Sequence, residues 1–260
     1  MKPVALITGA SAGIGVELAR VFAAHGHDLV LVARREDRLT ALADEIAAAG
    51  RLRPTVLPLD LERRDAVPTL AAQLTAQGLE PAYVINNAGF GLSGLAAKLN
   101  RDEELAMIDL NVRALTELSL SFVDSLERHR GGILNVASVA AFMPGPGMAV
   151  YYASKAYVLS FSEALHHELA ARGIRVTALC PGPVQTEFQA RSGMKLPGAA
   201  KMIELPASRV AQLGYDGLMR GQRVVVAGVG NKIAVSLMRF IPNALLMAAI
   251  DRRMGSAGGE

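Results

Sequence analysis

Short, mainly apolar runs alternate along this chain with longer stretches in which apolar residues recur every three or four positions. The runs fall at residues 4–7, 29–33, 55–59, 83–85, 132–137, 174–179 and 223–227. An apolar run without polar alternation is what a strand covered on both faces of a parallel sheet requires. Helical spacing occupies 14–24, 36–49, 63–76, 101–130, 150–172 and 206–220, and Gly26 and Gly50 are placed to close the first two helices. The stretch 101–130 reads as one long helix whose core stripe is Leu105, Ile108, Val112, Leu115, Leu118, Phe122 and Leu126. Strand and helix in alternation predict an α/β fold: three layers around a doubly wound parallel sheet of about seven strands.

Two segments carry no such period. Residues 187–205 mix polar, glycine and apolar positions and read as a lid over a site. The segment 233–250 is strongly apolar, but Arg239, Pro242 and Asn243 interrupt it, which argues against a membrane span. Its expected roles, in order, are lining a substrate entrance, packing on another subunit and lying on a bilayer surface. No Pro/Ser-rich linker or charge block divides the chain, so 1–260 is read as a single domain with 233–260 as an apolar C-terminal extension.

Composition narrows the function. Of 260 residues, 51% are hydrophobic, enough for a large core. The 27 basic and 24 acidic residues are spread without a basic-aromatic tract, which argues against a nucleic-acid partner. Cys180 is the only cysteine, so no internal disulfide forms, and with no Lys or Arg beside it the thiol reads as a small apolar group. No secretory pattern precedes the first strand, and a cytoplasmic location is expected. His25, His27, His129, His166 and His167 show no metal-ligand spacing, and no metal is expected.

The candidate chemistry lies where strands end. After the first run come Gly9, Gly13 and Gly15, with Ser11 and Ile14 between them, and then a helix. A side chain at Gly13 or Gly15 would occupy the space of a pyrophosphate, while the first amides of the helix from Ile14 offer donors and a positive dipole end. The second strand ends at Ala33, Arg34 and Arg35, where an acid would accept from ribose hydroxyls and an arginine can pair with a 2′-phosphate. That favours NADP(H) over NAD(H), against the alternative of two solvated arginines. Asp60 follows the third strand, with Leu61 beside it, and is placed either to accept from an adenine amino group or to cap the next helix. Asn86, Asn87, Ala88 and Gly89 follow the fourth, where carboxamides can lock neighbouring strands and small residues keep the backbone low.

Asn111 is an awkward residue for mid-helix and calls for a water or a backbone partner. Ser138 ends the fifth strand, and the apolar, turn-rich 141–148 suits a substrate wall. Tyr151 and Lys155 are four apart on one helix face, so an ammonium can lie near a phenol and favour its ionised form. Tyr152 is followed four residues later by Ala156 and is the weaker candidate.

Taken together, these motifs resemble the short-chain dehydrogenase/reductase family, over residues 4–186. The family's Thr-Gly-x-x-x-Gly-x-Gly stands here as Thr8, Gly9, Gly13 and Gly15, and its Asn-Asn-Ala-Gly as residues 86–89. Its catalytic asparagine, serine, tyrosine and lysine match Asn111, Ser138, Tyr151 and Lys155, and its Pro-Gly followed by threonine matches Pro181, Gly182 and Thr186. The resemblance implies a Rossmann-type fold and an enzyme that reduces a ketone or aldehyde to an alcohol, or the reverse, with NADP(H). It implies that Tyr151 donates a proton to the carbonyl oxygen, Lys155 lowers its pKa and holds the nicotinamide ribose, Ser138 bonds the same oxygen and Asn111 holds a water of the proton relay. Thr186 and the backbone of Val184 would meet the carboxamide, and a homodimer or homotetramer is expected. Phe90, Leu92, Phe142, Met143, Met148 and Phe188 point to a hydrophobic substrate. The alternatives are a catalytically silent nucleotide-sensing or scaffolding protein on the same fold, and a membrane-peripheral reductase of lipid-borne carbonyls.

Overall fold

The computed structural model of the protein describes residues 1–193, 203–238 and 240. Seven parallel strands form one sheet: β1 (Lys2–Thr8), β2 (Leu29–Ala33), β3 (Thr55–Pro58), β4 (Leu79–Asn86), β5 (Gly132–Val136), β6 (Arg175–Cys180) and β7 (Val224–Val226). Their order across the sheet is β3-β2-β1-β4-β5-β6-β7. Chain direction across the sheet therefore reverses between β1 and β4, where Ile7 sits opposite both Leu31 and Ile85. In an open parallel sheet a crevice forms at that reversal, beyond the carboxyl ends of the strands.

Successive side chains of a strand face opposite ways, so each apolar run feeds two cores. Ala5 and Ile7 join Leu31 and Leu179 beneath α1 (Gly13–Ala24), α2 (Glu36–Ala48) and the late helix Ala207–Met219. Val4 and Leu6 join Val30, Val84 and Ile133 on the other face. There they meet Leu70 of α3 (Ala66–Ala76) and Leu165 of the long helix Ala149–Ala170. The three layers and the doubly wound sheet match the sequence expectation.

The stretch 101–130 does not form one helix. It divides into α4 (Arg101–Ile108), a π-helical turn (Asp109–Ala114), α5 (Leu115–Ser121) and α6 (Val123–Arg128). The wider turn carries Asn111, and the break before α6 falls at Phe122, whose φ and ψ of −112° and 13° leave the helical region. The remaining helices are α7 (Ala149–Ala170), α8 (Glu187–Ser192), α9 (Ala207–Met219) and α10 (Val229–Met238). The aperiodic 187–205 thus contains a short helix at its start, and 194–202 lies outside the described residues. Of the apolar extension 233–260, residues 233–238 belong to α10, while 239 and 241–260 lie outside the described residues. Among the described residues no helix is long and apolar enough to cross a membrane.

The glycines of the first turn do separate jobs. Gly9 and Gly13 adopt φ of +66° and +56°, which L side chains rarely adopt. Gly15 is different. A Cβ there would stand 2.2 Å from the carbonyl oxygen of Gly9 and 2.6 Å from Nδ2 of Asn87, so this glycine lets α1 close onto β1 and β4 instead of clearing space for a ligand. Gly15→Ala should therefore force the helix off the sheet and lower the unfolding free energy by about 1–3 kcal/mol. A thermal melt would show this as a reduced Tm; an unchanged Tm would contradict the contact.

Candidate active site

At the crevice, Thr8 and Asn87 hold the diverging ends of β1 and β4 together. Thr8 Oγ1 accepts from the backbone N–H groups of Asn87 and Ala88 at 3.0 and 3.1 Å and donates to the Ile85 carbonyl at 3.2 Å. Asn87 Nδ2 donates back to the carbonyls of Thr8 and Gly9 at 2.9 and 3.2 Å. One strand deeper, Asn86 donates to Ser119 and to Asn135 Oδ1, and Asn135 donates to Ser162, at 2.8–2.9 Å throughout. The expected locking of strands by the carboxamides is present. It reaches across β4 and β5 to α5 and α7.

Asn111 takes the backbone partner expected of it. Its Oδ1 accepts from Phe90 N at 3.1 Å, and its Nδ2 donates to Phe90 O at 2.9 Å and Ser154 Oγ at 3.1 Å. The π-helical turn swings this side chain under the loop that follows Gly89, where a Cβ on Gly89 would approach Asn111 Oδ1 to 2.9 Å.

Above this framework lies a cavity of about 800 Å³, large enough for a dinucleotide and a small substrate. Gly9, Ser11, Gly13, Ile14, Arg34, Arg35, Asp60 and Leu61 line it on the β1–β3 side. Asn87, Ala88, Gly89, Ser138, Tyr151, Lys155, Pro181, Gly182, Val184 and Thr186 line it on the β4–β6 side. Two of the residues expected at the site do not reach the cavity. Gly15 packs beneath the turn, as its contacts require, and Asn111 is buried under Phe90. The capping alternative for Asp60 also fails, because α3 begins at Ala66 behind Asp65; Asp60 Oδ1 instead accepts locally from Glu62 N at 3.1 Å.

Tyr151 and Lys155 share a face of α7, and both are buried. Lys155 Nζ stands 5.9 Å from the centroid of the Tyr151 ring and donates to the Val136 carbonyl at 2.8 Å. Burial lowers the ammonium from its ordinary range to about 8. Burial also pushes the Tyr151 phenol up to about 12, opposed by hydrogen bonding from Ser138. The lowering expected from Lys155 does not contribute to this shift: desolvation of the phenolate dominates, and the phenol keeps its proton at neutral pH. Ser138 Oγ accepts from Ala140 N at 3.1 Å, leaving its own hydrogen to donate. Cys180 is buried with its thiol raised to about 12, in keeping with an inert side chain.

Phe188 packs on the Tyr151 ring with centroids 5.4 Å apart, and Phe90, Met143, Met148 and Tyr152 complete an apolar end of the cavity. From α10 come Ala234, Val235 and Met238, which puts the start of the apolar extension at the cavity wall. Asn231, buried and bonded to the Ala227 carbonyl at 2.7 Å, fills the space in front of Gly182, where a Cβ would lie 2.3 Å from its side chain. Sequence reasoning passed over Asn231, Arg38 and Glu187. Asn231 has no motif around it, and Arg38 and Glu187 carry no signal before the chain folds.

The sequence model of the short chain dehydrogenases matches residues 3–196. The chain belongs to the short-chain dehydrogenase/reductase family. A sulfoacetaldehyde reductase of Chromohalobacter salexigens is 38% identical over 194 residues, which cover 72% of this chain and 75% of that protein. Among solved structures, a short-chain dehydrogenase of Sphingobium yanoikuyae in complex with NADPH superposes with a TM-score of 0.79 at 32% identity, over 99% of this chain and 96% of the other. The bulky-bulky ketone specific alcohol dehydrogenase of Comamonas testosteroni gives 0.75 at 29%, over 94% and 96%. This family member is accordingly an oxidoreductase that interconverts carbonyl and alcohol groups with a nicotinamide dinucleotide.

Proposed function

We propose that the protein reduces a ketone or aldehyde with apolar substituents, using NADPH, with Tyr151 as the proton donor. The observation that carries this reading is the buried Tyr151 phenol beside the buried Lys155 amine, in a cavity whose reaction end is apolar. Among the described lining residues, Lys155 is the single cation at that end, and it is tied to Val136. Among the described residues an anionic substrate would meet no free cation there, which favours a neutral compound.

The residues present fit the cofactor. Gly9, Ser11, Gly13 and Ile14 would cradle the pyrophosphate, Arg34 and Arg35 the 2′-phosphate, and Asp60 and Leu61 the adenine. Ala88, Gly89, Pro181, Gly182, Val184 and Thr186 would border the nicotinamide half, whose ribose Lys155 would hold. When bound, NADPH supplies the hydride for the carbonyl carbon.

The rest of the chemistry falls to the chain. Tyr151 Oη holds the proton and passes it to the carbonyl oxygen, and Ser138 donates a second hydrogen bond to that oxygen. The charged form of Lys155 stabilises the phenolate left behind. Phe188 and the methionines exclude water, which strengthens both interactions. Asn111 positions the Phe90 backbone beneath the site through its paired hydrogen bonds.

Tyr151→Phe should lower kcat by about 10²–10⁴ while NADPH affinity, read by calorimetry, changes little. A variant within tenfold of the parent rate on a good ketone would overturn the assignment. The pH profile carries a second test. Tyr151 stays protonated far above neutrality, whereas Lys155 loses its charge near pH 8. Reductive turnover should hold level below that value and fall as the pH rises through it. A rate constant up to pH 10 would contradict a role for the charged lysine.

A further inference from the structure

The start of helix α8 lines the cavity with opposite chemistry at neighbouring positions. Its second residue, Phe188, lies on the ring of Tyr151, while its first, Glu187, reaches the arginines after β2. Arg35 Nη1 donates to Glu187 Oε2 at 2.9 Å, and Arg38 pairs with Oε1. The same Arg35 donates through Nε and Nη2 to Ser11 Oγ at 3.3 and 3.1 Å, and through Nη2 to the Ser11 carbonyl at 3.3 Å. The Arg38 and Arg35 guanidiniums together hold the Glu187 carboxyl below the usual carboxylate range.

A carboxylate between two guanidiniums makes the same kind of charge-assisted contacts that a phosphate monoester makes. Arg35 is also a residue assigned above to the 2′-phosphate, and both groups are anions. They cannot share that guanidinium without repulsion, and the phosphate, close to a dianion at neutral pH, is the stronger ligand. The ion pairs of Glu187 are about half exposed, hence weak and screened by salt, so an arriving phosphate can displace them.

We propose that Glu187 is a specificity-determining residue of the cofactor site: an internal competitor for the 2′-phosphate on Arg35 and Arg38. The proposal rests on the reading of Arg35 as phosphate-facing. It accounts for a glutamate at the cavity wall beside residues suited to bind an anion. The carboxylate tempers the affinity for NADPH and leaves NADH, which carries a hydroxyl at the same position, unaffected.

Calorimetric titration of NADPH and NADH into the wild type, Glu187→Gln and Arg35→Ala tests this. The glutamine variant should bind NADPH about three- to tenfold more tightly, with NADH within twofold of the wild type, and the gain should shrink at high salt. NADPH affinity unchanged or weakened in Glu187→Gln, or both dinucleotides weakened alike, would overturn the proposal and leave Glu187 as a simple latch. Arg35→Ala separates the two readings. If it leaves NADPH affinity intact, the phosphate assignment of Arg35 falls and the competitor role falls with it. If it weakens NADPH while Glu187→Gln changes nothing, the competitor role alone fails.

Discussion

The architecture of the site depends on one reciprocal contact, the side chains of Thr8 and Asn87 bonded across the ends of β1 and β4. At that point the order in which the chain adds strands reverses, and the loops after the two strands part. Left unbonded, the partly buried carbonyls of Thr8 and Gly9 and the amides of Asn87 and Ala88 would each lose hydration with little compensation. Bonded to one another, they fix the floor of the cavity. Gly15 belongs to the same contact, since only a glycine lets α1 approach Asn87 this closely. The cofactor turn and the carboxamide motif are therefore one structural unit drawn from two distant parts of the chain.

From that floor, burial sets the electrostatics of the reaction end. Tyr151 and Lys155 are both removed from water, and each is pushed toward its neutral form: the phenol keeps its proton, and the lysine titrates near physiological pH. A phenol held in this way is suited to giving a proton, which agrees with the reductive direction proposed. The apolar wall from Phe90, Met148 and Phe188 produces the same desolvation that underlies the proposed preference for neutral substrates. Acid strength and the proposed substrate class thus rest on a single packing arrangement.

Much of this was legible in the sequence because parallel strands announce themselves as apolar runs, and the motif residues sit at strand ends in fixed order. The limits are equally physical. Reading 101–130 with a uniform helical period hid the π-helical turn at Asp109–Ala114, although the discomfort of Asn111 in that pattern marked the place. Gly15 reads from sequence as clearing ligand space, while its contacts are the backbone of Gly9 and the side chain of Asn87, 72 residues away. Asp60 looked like a helix cap because the start of α3 lay a few residues beyond where periodicity put it. Glu187 and Arg38 carried no signal, since a charge pair 149 residues apart exists only after folding.

The claim beneath all of this is that the crevice stitched by Thr8 and Asn87 seats a dinucleotide from Ser11 and Arg35 at one end to Tyr151 at the other. A crystal structure of the NADPH complex tests it most directly. The account predicts the adenosine phosphate on the Ser11 and Arg35 side and the nicotinamide ring beside Tyr151 and Lys155, with room for a carbonyl group at the phenol oxygen. A nicotinamide bound away from Tyr151, or a ring packed so that no carbonyl compound fits between them, would contradict it.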